Sequence, residues 1–138
     1  DIKPDNIVVG HGNPVPIVTD FGSSINLKEP ASISKSISGT PYFMPPEAWQ
    51  NRVGYAFDAY SLGVSATLLL GRTKFQSKND DELRAAKMSG EFHRGLLVDL
   101  ENADSEKKQW IAALLSSEDQ TRLAALKQGA NWMRRQPQ

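Results

Sequence analysis

The chain contains no cysteine, which excludes disulfide bonds and thiolate metal sites and is typical of a reducing compartment. Its 16 basic residues balance 16 acidic ones, so no strong field of one sign indicates binding to nucleic acid or to an anionic membrane. The longest apolar stretch, residues 62–70, is interrupted by small polar residues and is too short to cross a bilayer. There is no signal-peptide pattern. These absences predict an intracellular protein, cytoplasmic or nuclear, with no membrane segment and no nucleic-acid partner.

The length and composition are those of an ordinary globular protein. A chain of 138 residues suits one domain with its own core. Hydrophobic residues make up 39% and charged residues 23%, which is close to the usual balance. The specific information therefore lies in the motifs.

The beginning of the chain places polar residues around two short β-branched runs, residues 7–9 and 16–19. Turn-forming residues 10–14 separate the runs, which predicts a hairpin with a longer-than-minimal loop. A hairpin brings Asn6 and Asp20 to the same open end, on strands about 4.8 Å apart. Amide and carboxylate oxygens are hard ligands that suit Mg²⁺. Gly22, just after the acid, permits backbone angles that other residues avoid.

Two further residues of this stretch have chemistry suited to phosphoryl transfer. Asp1 lies five residues before Asn6 and could accept a proton from an incoming hydroxyl group. Lys3 carries a compact positive charge that could stabilise a phosphoryl group during transfer.

The pattern D-x-K-P-x-N followed by D-F-G resembles the catalytic loop and the metal loop of eukaryotic protein kinases. The resemblance implies that Asp1 is the catalytic base and that Lys3 contacts the γ-phosphate of ATP. It also implies that Asn6 and Asp20 hold Mg²⁺, so that Lys3, Asn6 and Asp20 together bind the nucleotide. Either motif alone is a weak signal, whereas both at this spacing are a strong one.

Residues 23–38 are rich in serine and show no clear periodicity. The simple interpretation is a surface loop. The family resemblance implies an activation loop, in which phosphorylation of a serine would add negative charge and order the segment. Ser36 matches the usual phosphorylation position by its distance from Gly39, and Ser34 and Ser38 remain alternatives.

Residues 39–47 contain three prolines, which predict a rigid turn rather than a helix. The segment resembles the G-T-P-x-Y-M-A-P-E pattern of serine/threonine kinases, with Phe43 in place of Tyr and Pro45 in place of Ala. The resemblance implies that it receives the substrate peptide and that Thr40 is hydrogen-bonded to Asp1 and Lys3. The residues assigned to substrate binding are Gly39, Thr40, Pro41 and Phe43.

The stretch from Asp58 to Leu70 is apolar nearly all round, which predicts a central helix. It resembles the D-x-W-S-L-G-V helix of the kinases, with Tyr60 in place of Trp. Two compatible interpretations of Asp58 stay open. It could stabilise the helix N-terminus by capping it and by placing its negative charge at the helix dipole, or, as the family implies, it could tie down the backbone of the catalytic loop.

Three more helices are predicted towards the C-terminus: one capped by Asn79 and running through Met88, one after Ser105, and one from Leu123 to about Arg135. Residues 91–104 show no sharp pattern. Residues 118–122 resemble the family's D-P-x-x-R motif, which implies a buried ion pair between Arg122 and Glu47. His11 and His93 lack a second ligand at metal spacing and are interpreted as surface residues.

The resemblance implies an α+β, mainly α fold: the helical C-terminal lobe of the protein-kinase fold, with a short β-hairpin at the catalytic loop and no N-terminal lobe. Residues 1–138 would form a partial kinase domain, because no G-x-G-x-x-G motif occurs in the chain. We therefore expect a piece of a serine/threonine protein kinase that uses Mg²⁺ and ATP, acts on a protein substrate and is inactive alone.

The alternative is a non-catalytic pseudokinase or scaffold module. Such proteins usually lack the base, the asparagine or the metal-binding acid, and Asp1, Asn6 and Asp20 are all present. Lys3-Pro4 and the Gly39-Thr40-Pro41 sequence favour serine/threonine over tyrosine kinases, which carry D-x-A-A-R-N or D-x-R-A-A-N instead.

Overall fold

The computed structural model describes residues 1–29, 37–71, 75–98, 100 and 103–134. This part of the chain contains an antiparallel pair of strands, two 3₁₀ helices (Pro4–Asn6 and Pro46–Gln50) and α-helices. The strands are β1 (Ile7–Gly10) and β2 (Asn13–Val18). The α-helices are α1 (Phe57–Gly71), α2 (Asp80–Met88), α3 (Glu91–Val98), α4 (Ser105–Leu114) and α5 (Asp119–Arg134). A mainly helical fold with a single hairpin confirms the predicted fold class.

The hairpin sets the register of the N-terminal motif. Ile7 pairs with Val18, and the Thr19 amide donates to the Asn6 carbonyl at 2.8 Å, so the residues flanking the strands lie side by side. The predicted long loop is wrong: β2 begins at Asn13, and only residues 11 and 12 connect the strands. The pairing is irregular between Val9 and Gly10, which lets the strand continue into residues that look like turn formers.

Helix α1 is the central element, as predicted, and packs against α3, α4 and α5. A Cβ atom at Gly63 would lie only 2.9 Å from the Leu114 Cβ, so glycine is what allows α1 and α4 to approach closely. The buried Ser65 and Thr67 hydroxyls each donate to the backbone carbonyl one turn earlier, at 2.8 and 2.9 Å. These two hydroxyl groups are therefore satisfied within the helix.

The C-terminal helices agree with the sequence where capping or periodicity was clear. The Asn79 side chain accepts from the Glu82 amide at 2.9 Å and caps α2, as predicted. Helix α3 was not predicted, because it is short and only Phe92 and Leu96 are buried in it. Helix α5 begins at Asp119, four residues before the predicted start at Leu123.

The main hydrophobic core joins the 39–47 segment to the helices. The Tyr42 and Phe43 side chains are buried with Tyr60, Phe92 and other residues of α1 to α4. By contrast, the hairpin and its flank expose apolar side chains, such as Val9 and Phe21. None of the helices in the described ranges has the length and apolar character needed to cross a membrane.

Candidate active site

Asp1, Lys3 and Thr40 form one closed set of polar contacts. The Asp1 Oδ2 atom lies 2.8 Å from the Lys3 Nζ atom. The Thr40 backbone amide donates to Asp1 Oδ1 at 2.9 Å, and Lys3 Nζ donates to Thr40 Oγ1 at 2.7 Å. The expected contact between Thr40 and both residues is thus confirmed. The side chains are only 12% (Asp1) and 21% (Lys3) exposed, so solvent screens this ion pair less than it would a surface pair.

Gly39 allows the 39–47 segment to approach Asp1. Its φ of +140° lies in the region that side-chain-bearing residues rarely adopt. A Cβ atom there would lie 3.0 Å from Met44 Cε and 3.3 Å from Asp1 Oδ1. The neighbouring Thr40 amide can reach the Asp1 carboxylate because nothing fills this space.

The 39–47 segment borders a cavity of about 280 Å³, which is also lined by residues 75–77 and by helix α2. Thr40, Pro41 and Asp80 are among the residues that line it. Gly39 and Phe43 do not line it; the Phe43 side chain is buried, and its carbonyl accepts from the Ser61 hydroxyl at 2.9 Å. Of the four predicted substrate residues, Thr40 and Pro41 therefore line the cavity, whereas Gly39 and Phe43 do not.

Asn6 and Asp20 lie at the mouth of the hairpin, as predicted. The Asn6 side-chain amide group donates to the Asp1 carbonyl at 2.9 Å, which orients the side chain and leaves its oxygen available as a ligand. Asp20 is exposed, and its Oδ1 accepts from the Gly22 amide at 3.1 Å. Asp20 itself has the left-handed conformation, with φ of +59°, whereas Gly22 does not use the positive φ that glycine permits.

The donor set at this mouth fits Mg²⁺. Within the described ranges, no three His, Asp or Glu side chains come together as an all-protein metal cage. One carboxylate and one amide oxygen match the way Mg²⁺ is usually held, since it keeps several waters and takes its other ligands from substrate phosphates. Asn6 and Asp20 would hold the ion.

Asp58 borders the same region, and of the two interpretations only the expected effect on the helix dipole is confirmed. It lines a cavity of about 220 Å³ together with Asp1, Asp20 and Phe21. Helix α1 begins at Phe57, so Asp58 lies in the first turn, where its charge favours the helix dipole, and is not the cap. Among the residues that the structure describes, its carboxylate makes no hydrogen bond to the catalytic loop.

The predicted ion pair between Arg122 and Glu47 is present and bidentate. Arg122 Nη1 lies 2.5 Å from Glu47 Oε1, and Nη2 lies 3.3 Å from Oε2. The Arg122 side chain is 1% exposed, and its Nε donates to the Ser116 carbonyl at 2.6 Å. The pair ties α5 to the end of the 39–47 segment across 75 positions of sequence.

Two of the three candidate phosphorylation positions, Ser34 and Ser36, lie outside the described residues. Ser38 is exposed, and its hydroxyl donates to the Ser23 hydroxyl at 3.0 Å. The choice among the three serines stays a prediction.

Lys87 is a buried residue beside the site that the sequence did not reveal. Its side chain is 2% exposed, and its ammonium group donates to three carbonyls of the 39–47 segment. Burial lowers the pKa of Lys87 to about 7, an effect that the Glu47 carboxylate partly offsets. A signal was present, because Lys87 follows Leu83 by four residues and so shares the apolar face of α2.

His93 is not the surface residue that the sequence indicated. It packs edge-to-face against Tyr60, with ring centroids 5.4 Å apart. Among the described residues, its Nε2 atom and the Tyr60 hydroxyl have no hydrogen-bond partner. Burial, together with the positive charges of Lys87 and Arg122, lowers the pKa of His93 to about 4. His11, by contrast, is exposed on the hairpin as predicted.

Comparison with known proteins agrees with this geometry. The family described as protein kinase domain matches residues 1–132. The chain belongs to the protein kinase family. The matched range includes Asp1, Lys3, Thr40, Glu47 and Arg122.

Several curated kinases are similar to this chain. The serine/threonine-protein kinase PknA of Nostoc sp. is 36% identical over 102 residues, which cover 68% of this chain and 17% of that protein. The serine/threonine-protein kinase SKM1 of Saccharomyces cerevisiae is 32% identical over 130 residues, 92% of this chain and 19% of that protein. The Aurora kinase of the same yeast is 39% identical over 83 residues, 59% of this chain and 22% of that protein. The chain therefore spans about a fifth of the length of these relatives.

Proposed function

We propose that this kinase chain carries the catalytic and substrate-binding residues of a serine/threonine protein kinase, which transfers the γ-phosphoryl group of ATP to a protein hydroxyl. The observation that carries the proposal is the contact of Asp1 and Lys3 with Thr40. It joins an acid and a cation suited to phosphoryl transfer to the segment that borders the cavity of about 280 Å³.

In the proposed reaction, the oxygen of a substrate hydroxyl bonds to the γ-phosphorus while the bond to the leaving ADP breaks. Asp1 accepts the hydroxyl proton. The Thr40 amide at Oδ1 and Lys3 at Oδ2 hold the carboxylate in one orientation, so little reorganisation is needed when the hydroxyl arrives.

Lys3 has a second part in this proposal. Its ammonium group lies between Asp1 and the Thr40 hydroxyl, and its positive charge would stabilise the charge on the transferring phosphoryl group. Mg²⁺, when held by Asn6 and Asp20, would neutralise negative charge on the phosphates of ATP.

The preference for serine and threonine rests on two observations. Lys3 bonds the hydroxyl of Thr40, which joins the two sequence features that favour this class. Two of the similar proteins are also named as serine/threonine kinases. Phosphorylation of peptides that differ only in a serine, threonine or tyrosine acceptor would test this preference, and preferential labelling of tyrosine would contradict it.

We further propose that the 138-residue chain is inactive alone. The hairpin exposes Val9 and Ile17 at 64% and 54%, and the adjoining Phe21 is 70% exposed. Another part of a kinase would cover such apolar side chains. Phosphoryl transfer by the isolated chain at the rate of the full-length protein would contradict this. The intracellular location also stays a prediction.

The decisive experiment compares Asp1→Asn with Asp5→Asn in the full-length protein. Asp5 is an exposed acid in the same loop and provides the matched control. Asp1→Asn should lower kcat by about 10²–10⁴-fold, because the proton acceptor is lost. Asp5→Asn should leave kcat unchanged, and both variants should melt within a few degrees of wild type.

The outcome can also refute the proposal. A kcat of Asp1→Asn within twofold of wild type would show that Asp1 is not the base. Absence of phosphate transfer by the wild-type protein would favour the scaffold alternative.

A further inference from the structure

We propose that Lys87 is a positioning residue that holds the 39–47 segment in the conformation that binds the protein substrate. This inference rests on the proposed kinase function. Lys87 does not touch the reacting groups, and it acts through the backbone that carries Thr40 and Pro41.

The geometry uses the whole donor capacity of the side chain. Lys87 Nζ lies 3.1 Å from the Pro41 carbonyl oxygen, 2.6 Å from that of Tyr42 and 2.5 Å from that of Met44. An ammonium group has three N–H donors and no acceptor, so the three carbonyls satisfy it fully. Hydrogen bonds from a charged donor are also the stronger ones. The segment and α2 are therefore held together at one buried point.

Aromatic rings enclose this point and keep water away from it. The Lys87 Nζ atom lies 4.4 Å from the ring centroid of Phe92, 5.3 Å from that of Tyr60 and 5.6 Å from that of Trp49. Such rings attract a cation, most strongly where it is desolvated. The side chain is thus confined to the segment and cannot satisfy itself in solvent.

The hydrogen bonds of Lys87 to the 39–47 segment, which we call the anchor, lie one residue from the catalytic contacts. Pro41, whose carbonyl Lys87 binds, directly follows Thr40, whose amide and hydroxyl contact Asp1 and Lys3. Pro41 and Tyr42 also line the cavity beside the segment. Loss of the anchor should therefore weaken binding of the protein substrate. It should affect ATP less, because Asn6 and Asp20 lie at the hairpin mouth.

Protonation of Lys87 provides a readout that a purely structural role would not give. Titratable and charged groups from each surrounding element face this buried cluster: Tyr42 from the 39–47 segment, Glu47 from the second 3₁₀ helix, Tyr60 from α1, His93 from α3 and Arg122 from α5. With the pKa of Lys87 at about 7, the ammonium loses a proton in the neutral range and keeps two N–H donors, so one carbonyl loses its partner. His93 is neutral in that range, because its pKa is about 4.

The test compares Lys87→Met with Lys127→Met, an exposed lysine of α5, in the full-length protein. The substrate is a peptide without groups that titrate between pH 6 and 8.5. Lys87→Met should raise KM for the peptide about tenfold, or about 1.4 kcal/mol, and change KM for ATP less than about twofold. Lys127→Met should match wild type. The wild-type KM for the peptide should rise about threefold from pH 6 to 8, and that of Lys87→Met should stay flat.

Each outcome decides something. Unchanged peptide KM in an active Lys87→Met enzyme, or equal increases in both KM values, would overturn the anchor. If Lys87→Met does not fold, the wild-type protein provides the test. A KM for the peptide that does not change between pH 6 and 8 would overturn the positioning role of Lys87, and the predicted rise would support it. Hydrogen exchange separates the two proposals. Faster exchange of residues 39–47 in Lys87→Met, but not in Lys127→Met, supports the positioning role of Lys87 even if the wild-type protein transfers no phosphate. Absence of phosphate transfer by the wild type would refute only the kinase proposal.

Discussion

Replacing Glu47 by glutamine should leave the Arg122 guanidinium buried without its counter-charge. The substitution keeps the size of the side chain and one acceptor oxygen but removes the negative charge. Because the Arg122 side chain is 1% exposed, water cannot solvate the uncompensated cation. The effect should therefore appear as a loss of folding free energy.

The magnitude follows from the surroundings of the pair. Breaking one side of a buried ion pair costs about 3–5 kcal/mol. Here Glu47 is 20% exposed, and Arg122 keeps its bond to the Ser116 carbonyl and its contact with the Tyr60 ring at 5.0 Å. We therefore expect a loss of about 2–3 kcal/mol, at or just below the lower end of that range. In urea, such a loss corresponds to a midpoint shift of about 1–2 M.

The assay is urea unfolding of the full-length protein, followed by tryptophan fluorescence. Asp119→Asn is the matched control, because the Asp119 carboxylate lies 3.9 Å from the same guanidinium but is 62% exposed. That variant should change stability by less than about 0.5 kcal/mol. A second variant, Glu47→Leu with Arg122→Met, removes both charges and should be more stable than Glu47→Gln alone.

Two results would refute this reasoning. If Glu47→Gln were no more destabilising than Asp119→Asn, burial of Arg122 would not carry the predicted cost. If the double replacement were less stable than Glu47→Gln, the penalty would come from lost packing and not from the unpaired charge.

Two more substitutions test the site and its support. Gly39→Ala should cost about 1–3 kcal/mol of backbone strain and lower kcat, because Gly39 has a positive φ and an added Cβ atom would crowd Met44 and Asp1. Gly10 has open space around it, so Gly10→Ala should change neither kcat nor the urea midpoint. His93→Gln should remove a pH dependence of stability. Because burial lowers the His93 pKa to about 4 from 6.5, the unfolded chain binds more protons between these values, so stability falls as pH decreases from 6.5 to 4. After discounting for the part of the ring that water reaches, that loss is about 1–2 kcal/mol, measured by urea unfolding at several pH values. An unchanged pH profile in His93→Gln, or an altered one in His11→Gln, would contradict this assignment.

Local sequence patterns were sufficient for much of the fold. The Asn79 cap, the apolar stretch of α1 and the paired β-branched runs each depend on residues a few positions apart, and the structure contains the element that each predicts. The missed helix α3 and the early start of α5 are cases where the local pattern was weak. The two-residue connection in the hairpin was also hidden, because Asn13 and Pro14 resemble a loop.

The sequence by itself determined which chemical groups this chain carries. Asp1, Lys3, Asn6 and Asp20 stand in the order and spacing of the kinase catalytic and metal loops, and Arg122 is the predicted ion-pair partner of Glu47. Only the tertiary structure decided how the other groups act. Lys87 lies more than forty positions from the carbonyls it binds, and His93 packs against the Tyr60 ring of another helix. The physical reason is that burial and pKa depend on what surrounds a side chain, and those surroundings form only when distant segments pack together.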